Sequence, residues 1–512
     1  MADGAKPIKA DFSERPLLHG ARWSALWIIF NQITKVVRGL VIPRLLEPSL
    51  YGMWASLSLV LGYAQYADLG VNQQMGKRLP YRLGQEGEAG FRDLAQQGTG
   101  WGLMTSGLAA VVLFLWSFWY SGPNPGFYKV ALGLVGLSVI AQKLRVMGST
   151  LLGSRFLFRQ AAIGGMLVDG VGLVLAVLFL LQWGVMGLVW AFLATEFLVA
   201  AYYFSRIGFP LPTFVPAQTL PMVSEGFLLL AVTLIEQALM TVDQVYLVSF
   251  FPREQYGIYA LGLFLTSALL SASGVFLTVT QPKVMHLAGE GKLDEARTVV
   301  RASLLLYLVI LALLVGMAVF GMDLAVSYYL PKYQAGLHVF VLMPLMALVR
   351  GPVILLRPLF LARNQEKFLI AIELVGLGAA AVLDTLVVIY RPSLILIAMA
   401  SILGYGLVAA CMAWSVHAFS RVSEAGSNRF TLFLSMSSMA GVAGLFAFYG
   451  ARSSASVGIA HYVGEGFLAG TVYTTWVGLF VWAGRRHWQQ AWRIFRHGSA
   501  VPAPQLAFTE PL

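Results

Sequence analysis

The sequence predicts an all-α polytopic membrane protein with about fourteen transmembrane helices. Of its 512 residues, 58% are hydrophobic and 12% are charged, and the mean hydropathy is +0.73. Soluble domains carry roughly 25% charged residues, about twice this share. A helix needs about 20 mainly apolar residues to cross a bilayer, and runs of that length recur along the whole chain. Composition, hydropathy and run length therefore all favour a bundle of membrane-spanning helices.

The predicted spans are separated by short outer connections and by inner loops, of which the longest lie near 76–96 and 281–299. In chain order the spans lie near 20–43, 50–74, 97–120, 127–150, 161–182, 184–205, 225–250, 255–280, 300–321, 336–360, 368–390, 393–416, 431–450 and 462–484. The N-terminal tail, 1–19, lacks a short apolar core followed by a cleavage site, so we expect a retained tail rather than a signal peptide. The additional pair of spans, within 430–484, is followed by a basic tail, 485–512. This tail is amphipathic and contains Trp, which favours contact with membrane lipid.

The connections between the predicted spans alternate in charge. One set is basic, as in Lys77, Arg78, Arg82 and Arg92, whereas the intervening connections carry one cation each, such as Lys129. Cytoplasmic loops hold an excess of Lys and Arg, so we place the basic set and both termini in the cytoplasm. The formal net charge of +11 then reflects topology, because a nucleic-acid-binding protein would gather its cations on one face.

The chain contains an internal repeat. LYGMWASLSLVLGYAQYADLG (50–70) aligns with QYGIYALGLFLTSALLSASGV (255–275) at an offset of 205 residues. We therefore predict an N-lobe of six spans at 20–205 and a C-lobe of six spans at 225–417, joined by a cytoplasmic linker at 206–224. Both lobes enter the membrane from the same side. Such parallel repeats are related by an axis along the membrane normal, and substrate sites lie at their interface.

A longer segment carries a family resemblance. VIPRLLEPSLYGMWASLSLVLGYAQYADLG (41–70) resembles the start of polysaccharide flippases in the multidrug/oligosaccharidyl-lipid/polysaccharide (MOP) exporter superfamily. The shared elements are an RLL-P--YG stretch at 44–52, DLG at 68–70 and a second YG at 256–257, which opens the second half. The resemblance implies two six-helix lobes forming a V around a central cavity.

The same resemblance implies a function and a location. Proteins of this family translocate undecaprenyl-pyrophosphate-linked oligosaccharides from the cytoplasmic to the periplasmic leaflet of the bacterial inner membrane. The glycans serve O-antigen, lipopolysaccharide, capsule or exopolysaccharide synthesis. The implied partners are the lipid-linked oligosaccharide, membrane lipids, and a polysaccharide polymerase or glycosyltransferases.

Two cations lie inside the first predicted span. The helical period places Asn31, Lys35 and Arg38 on one stripe, with Gln32 at its edge. With Pro43 as the outer end, Arg38 lies ~7 Å deep and Lys35 ~12 Å deep. Ionisable residues at such depth face the bundle interior or a wet cavity by default, although long cations also snorkel outward. We predict a cavity wall that binds phosphate, because Arg engages phosphate bidentately and Lys supplies a compact charge.

The second repeat carries acidic and polar residues at the matching positions: Glu236, Gln237 and Asp243. The acids either form salt bridges between the lobes, act as a gate, or take up a coupling H⁺ or Na⁺. Asp68, at the inner end of the second span, is a third candidate acid, for which a helix cap or an ion pair with an inner-loop cation is favoured. The sequence leaves two roles open, proton binding or ion pairing, for four further intramembrane acids: Asp169, Glu196, Glu373 and Asp384.

A second cationic set is predicted to line the cavity: Lys143, Arg145, Arg350 and Arg357. Arg350 lies nearly mid-span, beside Pro352, and proline there permits a kink. The other three cations have an alternative role, which is contact with the inner lipid headgroups.

Three functions compete. A lipid-linked oligosaccharide flippase fits best. A multidrug cation antiporter of the same superfamily should show an acidic first lobe, which Lys35 and Arg38 oppose. A membrane glycan polymerase or ligase needs a sizeable periplasmic loop, and the predicted outer loops are short. The sequence has no glycine-rich nucleotide loop followed by Lys-Ser/Thr, and the single Cys411 excludes an internal disulfide framework. We therefore predict a transporter, not an enzyme, with no bound cofactor and no metal site.

Overall fold

The computed structural model describes residues 14–418. Within this range the chain is helical and contains no β-strand. The predicted spans at 430–484 and the basic tail at 485–512 lie outside the described residues, as does most of the N-terminal tail. The all-α fold class predicted from hydropathy is confirmed for the part of the chain that the structure describes.

The chain divides into two compact units, one ending at Gln237 and the other starting at Ala238. The first unit contains six complete helices: α1 (Glu14–Leu45), α2 (Pro48–Ala64), α3 (Val71–Trp119), α4 (Pro125–Ser154), α5 (Phe158–Trp183) and α6 (Val185–Ile207). The next helix, α7 (Pro216–Phe250), crosses the boundary between the units. The predicted linker, 206–224, therefore includes a short non-helical stretch and the start of α7.

The second unit repeats this order of helices. It contains α8 (Arg253–Gly289), α9 (Leu293–Leu324), a π-helical turn (Ala325–Tyr329), a 3₁₀ turn (Pro331–Gly336), α10 (Leu337–Leu342), α11 (Pro344–Leu361), α12 (Glu366–Tyr390) and α13 (Leu394–Ala418). The short α10 and α11 together fill the place that α4 fills in the first unit, at the offset seen in the sequence.

Membrane-spanning character is clear from length and composition. Each predicted span between 20 and 416 overlaps a helix or, at 336–360, a pair of helices. Nine helical segments in the described residues are long and apolar enough to cross a membrane. The protein is therefore a multi-pass membrane protein.

The predicted second span, 50–74, is wrong at its inner end. α2 stops at Ala64, and a turn follows in which Leu69 and Gly70 have φ of 54° and 85°. α3 then begins at Val71. Hydropathy continues smoothly across this turn, so only the backbone shows it. The turn is closely packed: a Cβ added at Gly70 would lie only 2.4 Å from the carbonyl oxygen of Gly226.

Gly70→Ala is expected to lower the free energy of unfolding by about 2–3 kcal/mol, because the new Cβ meets both a left-handed backbone and a neighbouring carbonyl. The matched control is Gly76→Ala on the same helix, whose added Cβ would meet nothing within 4 Å. Thermal unfolding of the purified protein in detergent measures both variants. Equal melting temperatures for the two variants would contradict the tight turn.

The predicted inner loop at 76–96 is also helical. It forms the first part of α3, which kinks at Gly87 with φ of 68° and ψ of −154°. In the second unit the corresponding loop breaks between α8 and α9, where Gly291 has φ of 77°. Each unit thus changes helix direction at a glycine, because glycine adopts positive φ without a steric penalty.

Candidate functional site

The cationic stripe of α1 packs against an acid of its own unit. The Asn31 amide donates to both carboxylate oxygens of Asp169 on α5, at 2.8 and 2.9 Å, and Trp27 Nε1 donates to Oδ2 at 3.1 Å. The two helices approach closely here, as shown by the 2.4 Å that would separate a Cβ added at Gly165 from the Trp27 ring. Asp169 is therefore held in place by two neutral donors.

Lys35 and Arg38 lie next to this carboxylate without a direct ion pair. Both interact electrostatically with Asp169, but neither forms a salt bridge with any side chain that the structure describes. Lys35 is half-buried and Arg38 is exposed. Arg38 Nη2 lies beside Gly172, only 3.1 Å from where a Cβ added at this glycine would lie. Two cations and one carboxylate leave this group, which we call the cationic site, with a net charge of +1.

Three of the other predicted cavity cations are paired within their own unit. Lys143 forms a buried salt bridge with Asp68, Arg145 Nε lies 2.5 Å from Glu196 Oε2, and Arg357 Nη2 lies 2.9 Å from Glu373 Oε1. The three carboxylates are at most 3% exposed. A buried charge is tolerated only when it is paired and hydrogen-bonded. Each of these salt bridges satisfies a buried carboxylate, and the predicted contact of Lys143, Arg145 and Arg357 with substrate stays a prediction.

Asp68 joins two elements of the first unit. Its carboxylate accepts hydrogen bonds from the backbone of Gly70 at 3.4 Å and of Asn72 at 3.0 Å, and its carbonyl accepts one from Trp101 Nε1 at 2.9 Å. It therefore caps the start of α3. The predicted ion pair exists, but its partner is Lys143 on α4 and not an inner-loop cation, so that detail of the prediction was wrong.

The second unit contains a buried acidic cluster, formed by Asp243, Asp384 and Arg350. Tyr259 OH donates to Asp243 Oδ2 at 2.6 Å and the Gln244 backbone N–H donates to Oδ1 at 2.7 Å. Asp384 is fully buried, interacts electrostatically with Asp243, and neither of its carboxylate oxygens has a hydrogen-bond partner in the described part of the chain.

Arg350 supplies the counter-charge of the acidic cluster. It interacts electrostatically with Asp243, and its guanidinium lies over the Tyr405 ring at 5.0 Å. Only 9% of Arg350 is exposed, so the geometry assigns it to the acids more readily than to a passing substrate. The cluster therefore contains two carboxyl groups and a single guanidinium.

The remaining predicted site residues lie on α1 and α7. Gln32, Glu236 and Gln237 are half-buried in the first unit, where Glu236 interacts electrostatically with Tyr66. Asp243 belongs to the second unit. The predicted pairing of Lys35 and Arg38 with Glu236 and Asp243 stays a prediction.

Comparisons with known proteins address the fold. No family model matches the sequence, and no curated protein matches it either. Solved structures do match. The lipid II flippase MurJ, in an inward closed conformation, aligns with a TM-score of 0.63 at 11% identity, covering 90% of this chain and 99% of its own. A multidrug resistance MATE family transporter of the MOP superfamily, inward-facing, aligns with a TM-score of 0.59 at 13% identity, covering 77% and 96%.

The chain has the fold of the MOP exporters. A third match is a MOP superfamily transporter from Pyrococcus furiosus, described as having a binding pocket of reverse polarity, with a TM-score of 0.53 at 14% identity, covering 79% of this chain and 94% of its own. The resemblance seen in residues 41–70 is thereby confirmed at the level of the fold. The MOP neighbours are transporters and a flippase, and at these identities the likeness concerns architecture and not substrate.

Proposed function

We propose that the protein flips an undecaprenyl-pyrophosphate-linked oligosaccharide from the cytoplasmic to the periplasmic leaflet of the bacterial inner membrane. The exported glycan would serve O-antigen, capsule or exopolysaccharide synthesis, and both termini would lie in the cytoplasm. The observation that carries the proposal is the cationic site, in which Lys35 and Arg38 lie beside a single carboxylate, Asp169, within the first predicted span.

The chemistry of the substrate explains why such charges are useful. A pyrophosphate that carries sugars cannot cross hydrocarbon unaided, because burying an unpaired charge is costly. Cations in a site of low dielectric offset this cost far more than they would in water. Arg38 can bind phosphate oxygens bidentately, and Lys35 adds a point charge one helical turn away. Asp169, held by Asn31 and Trp27, fixes the stripe without neutralising both cations.

The MATE neighbours favour a second candidate, a multidrug cation antiporter. A cationic drug would be repelled by Lys35 and Arg38, which carry more charge than Asp169 compensates. The MurJ neighbour is named as a lipid II flippase, and a lipid-linked anion suits the sign of the site. We therefore favour the flippase.

We further propose that an ion gradient drives the cycle through the acidic cluster. Asp243 and Asp384 place two carboxylates near one guanidinium, so one H⁺ or Na⁺ would bring the cluster to neutrality. Uptake and release of this ion would accompany alternating access of the substrate cavity. Asp68 is excluded from this role because Lys143 already neutralises it. A polysaccharide polymerase and glycosyltransferases are the proposed protein partners.

Complementation of a flippase-null strain tests the function. Lys35→Ala and Arg38→Ala should each abolish surface polysaccharide, with lipid-linked precursor accumulating inside at normal protein abundance. The matched control is Lys129→Ala, a cation in a predicted outer connection, which should export normally. Failure of the wild type to restore surface polysaccharide would overturn the flippase proposal, and normal export from both stripe variants would overturn the role of the two cations.

A further inference from the structure

The indole ring of Trp27 lies at the end of the cationic stripe that is nearer to the N-terminus of α1. Its Nε1 donates a hydrogen bond to Asp169 Oδ2 at 3.1 Å. A Cβ added at Gly165 would lie 2.4 Å from the same ring. These two contacts with α5 hold the ring in one orientation, so a ligand that binds against it has little side-chain freedom left to remove.

Part of this ring is open to a ligand. Trp27 is 38% exposed among the described residues, although α5 contacts it. Tryptophan near the end of a membrane span often serves as an anchor at the lipid headgroups. The direction in which the exposed surface faces therefore decides between an anchor and a binding residue.

The helical period places Trp27 on the polar side of α1. At 3.6 residues per turn, Trp27 lies about 20° from Arg38 and about 40° from Asn31 around the helix axis. The exposed apolar residues Ile29 and Val36 lie about 160° and 180° away. An apolar helix face suits lipid, whereas polar and ionisable residues face the interior or a wet cavity. The exposed part of Trp27 thus belongs to the same surface as the cationic site.

The position of Trp27 along α1 agrees with this assignment. It precedes Lys35 by eight residues, ~12 Å along the helix axis. Side chains on a helix lean toward its N-terminus, so the long Lys35 side chain extends toward the ring. The predicted topology places this end of α1 nearer to the cytoplasm. A glycan whose pyrophosphate binds the cationic site from that side would therefore pass the ring.

The ring supplies a kind of contact that the two cations do not. The face of an aromatic ring carries partial negative charge, which attracts the polarised C–H groups on the flat side of a sugar. The same face repels a phosphate. Tryptophan also offers a large, rigid contact area at a low cost in conformational entropy. Ring and cations thus suit different parts of one glycosylated pyrophosphate.

We propose that Trp27 is a stacking platform for the sugar nearest to the pyrophosphate of the lipid-linked glycan. The inference rests on the proposed flippase function and deepens it, because it separates recognition of the sugar from recognition of the anionic linkage. Lys35 and Arg38 bind the linkage in any substrate of this class. Trp27 adds affinity only when a sugar is attached, so the protein selects glycosylated lipid over bare lipid pyrophosphate.

Equilibrium binding to the full-length protein in nanodiscs tests this division. The probes are farnesyl pyrophosphate and farnesyl pyrophosphate bearing glucose or N-acetylglucosamine. At least one glycosylated probe should bind the wild type about fivefold more tightly than the bare pyrophosphate, which is the scale of one aromatic contact.

Three variants separate stacking from other roles of the ring. Trp27→Leu should bind bare and glycosylated probes alike, because leucine has no aromatic face. Trp27→Phe should keep most of the preference, although it also removes the donor to Asp169. The matched control, Trp183→Leu, removes an exposed tryptophan at the end of α5 and should keep the full preference.

The outcomes distinguish this inference from the flippase proposal. Equal loss of preference in Trp27→Phe and Trp27→Leu would show that the ring acts through Asp169. Equal weakening of bare and glycosylated probes in Trp27→Leu would show contact with the isoprenoid chain. Either result, or a wild type without preference, overturns the platform while the flippase proposal stands. If the wild type binds none of the probes, both fail.

A second measurement uses the intact ring and does not depend on the leucine variant. The protein is labelled with fluorotryptophan, and the ¹⁹F NMR signal of Trp27 is assigned by its absence in Trp27→Phe. The preferred glycosylated probe should shift this signal more than farnesyl pyrophosphate does. Shifts of equal size with both probes, or no shift with either, would overturn the platform.

Discussion

Lys143→Met is expected to lower the free energy of unfolding by about 3–5 kcal/mol, because it leaves Asp68 buried without a counter-charge. Asp68 is 2% exposed, so its carboxylate is almost fully removed from water. It also caps that helix through the backbone of Gly70 and Asn72. The loss therefore reaches the turn that connects α2 to α3.

The second substitution Asp68→Asn restores most of this loss. Asparagine still offers an oxygen to the two backbone N–H groups, and the Lys143→Met/Asp68→Asn protein buries no unpaired charge. Thermal unfolding in detergent, followed by size-exclusion chromatography, measures the single and double variants. A single variant as stable as the wild type, or a double variant no better than the single one, would show that this salt bridge does not hold the first unit together.

Asp384→Asn is expected to raise stability and to remove the proposed ion coupling. Neither oxygen of Asp384 has a hydrogen-bond partner in the described residues, and Asp243 lies close enough to repel it. An amide removes this repulsion, so stability should rise by about 1 kcal/mol. Transport driven by an imposed Na⁺ or proton gradient should fall at least about fivefold, the lower end of typical coupling between sites.

The matched control lies on the same helix. Glu373→Gln removes an acid that is paired with Arg357, so it should lower stability while leaving the dependence on the gradient intact. Proteoliposomes with an imposed gradient report transport, and thermal unfolding reports stability. If Asp384→Asn keeps full gradient dependence, the acidic cluster is not the coupling site.

Most of the fold follows from the sequence. Runs of about 20 apolar residues locate the spans because the bilayer sets their length, and the repeat at an offset of 205 residues anticipates the common helix order of the two units. The sequence-based prediction misses the turn at Leu69 and Gly70 because a hydropathy profile depends on composition and not on backbone conformation. The helical start of α3 is missed for the same reason, since its polar residues read as a loop.

The site is less predictable than the fold. The helical period places Asn31, Lys35 and Arg38 on one stripe, and the structure brings Asp169 to it across 138 positions of sequence from Asn31. The spacing of the residues along the sequence does not indicate which acid lies next to which cation. The salt bridge of Lys143 with Asp68 likewise spans 75 positions of sequence. One signal was available in retrospect: Gly165 and Gly172 on α5 mark a face that another helix approaches closely, and Asp169 lies between them.

The cationic site and the acidic cluster have opposite compositions. The cationic site contains two cations beside one carboxylate, and the acidic cluster contains two carboxylates beside one guanidinium. In the proposed mechanism, the two phosphates of the substrate lie against the two cations of the first site, and a coupling cation binds at the two carboxylates of the second.

Flipping of a pyrophosphate-linked lipid in proteoliposomes tests the central claim most directly. The probe is fluorescently labelled undecaprenyl pyrophosphate carrying one sugar, and a membrane-impermeant quencher reports the fraction that remains in the outer leaflet. The wild type should equilibrate the two leaflets, and Lys35→Gln/Arg38→Gln should slow this at least about tenfold at equal protein content, while Lys129→Gln flips at the wild-type rate. Wild-type flipping by the double variant would show that the two cations of α1 do not carry the substrate's anionic linkage, and the proposed mechanism would be wrong.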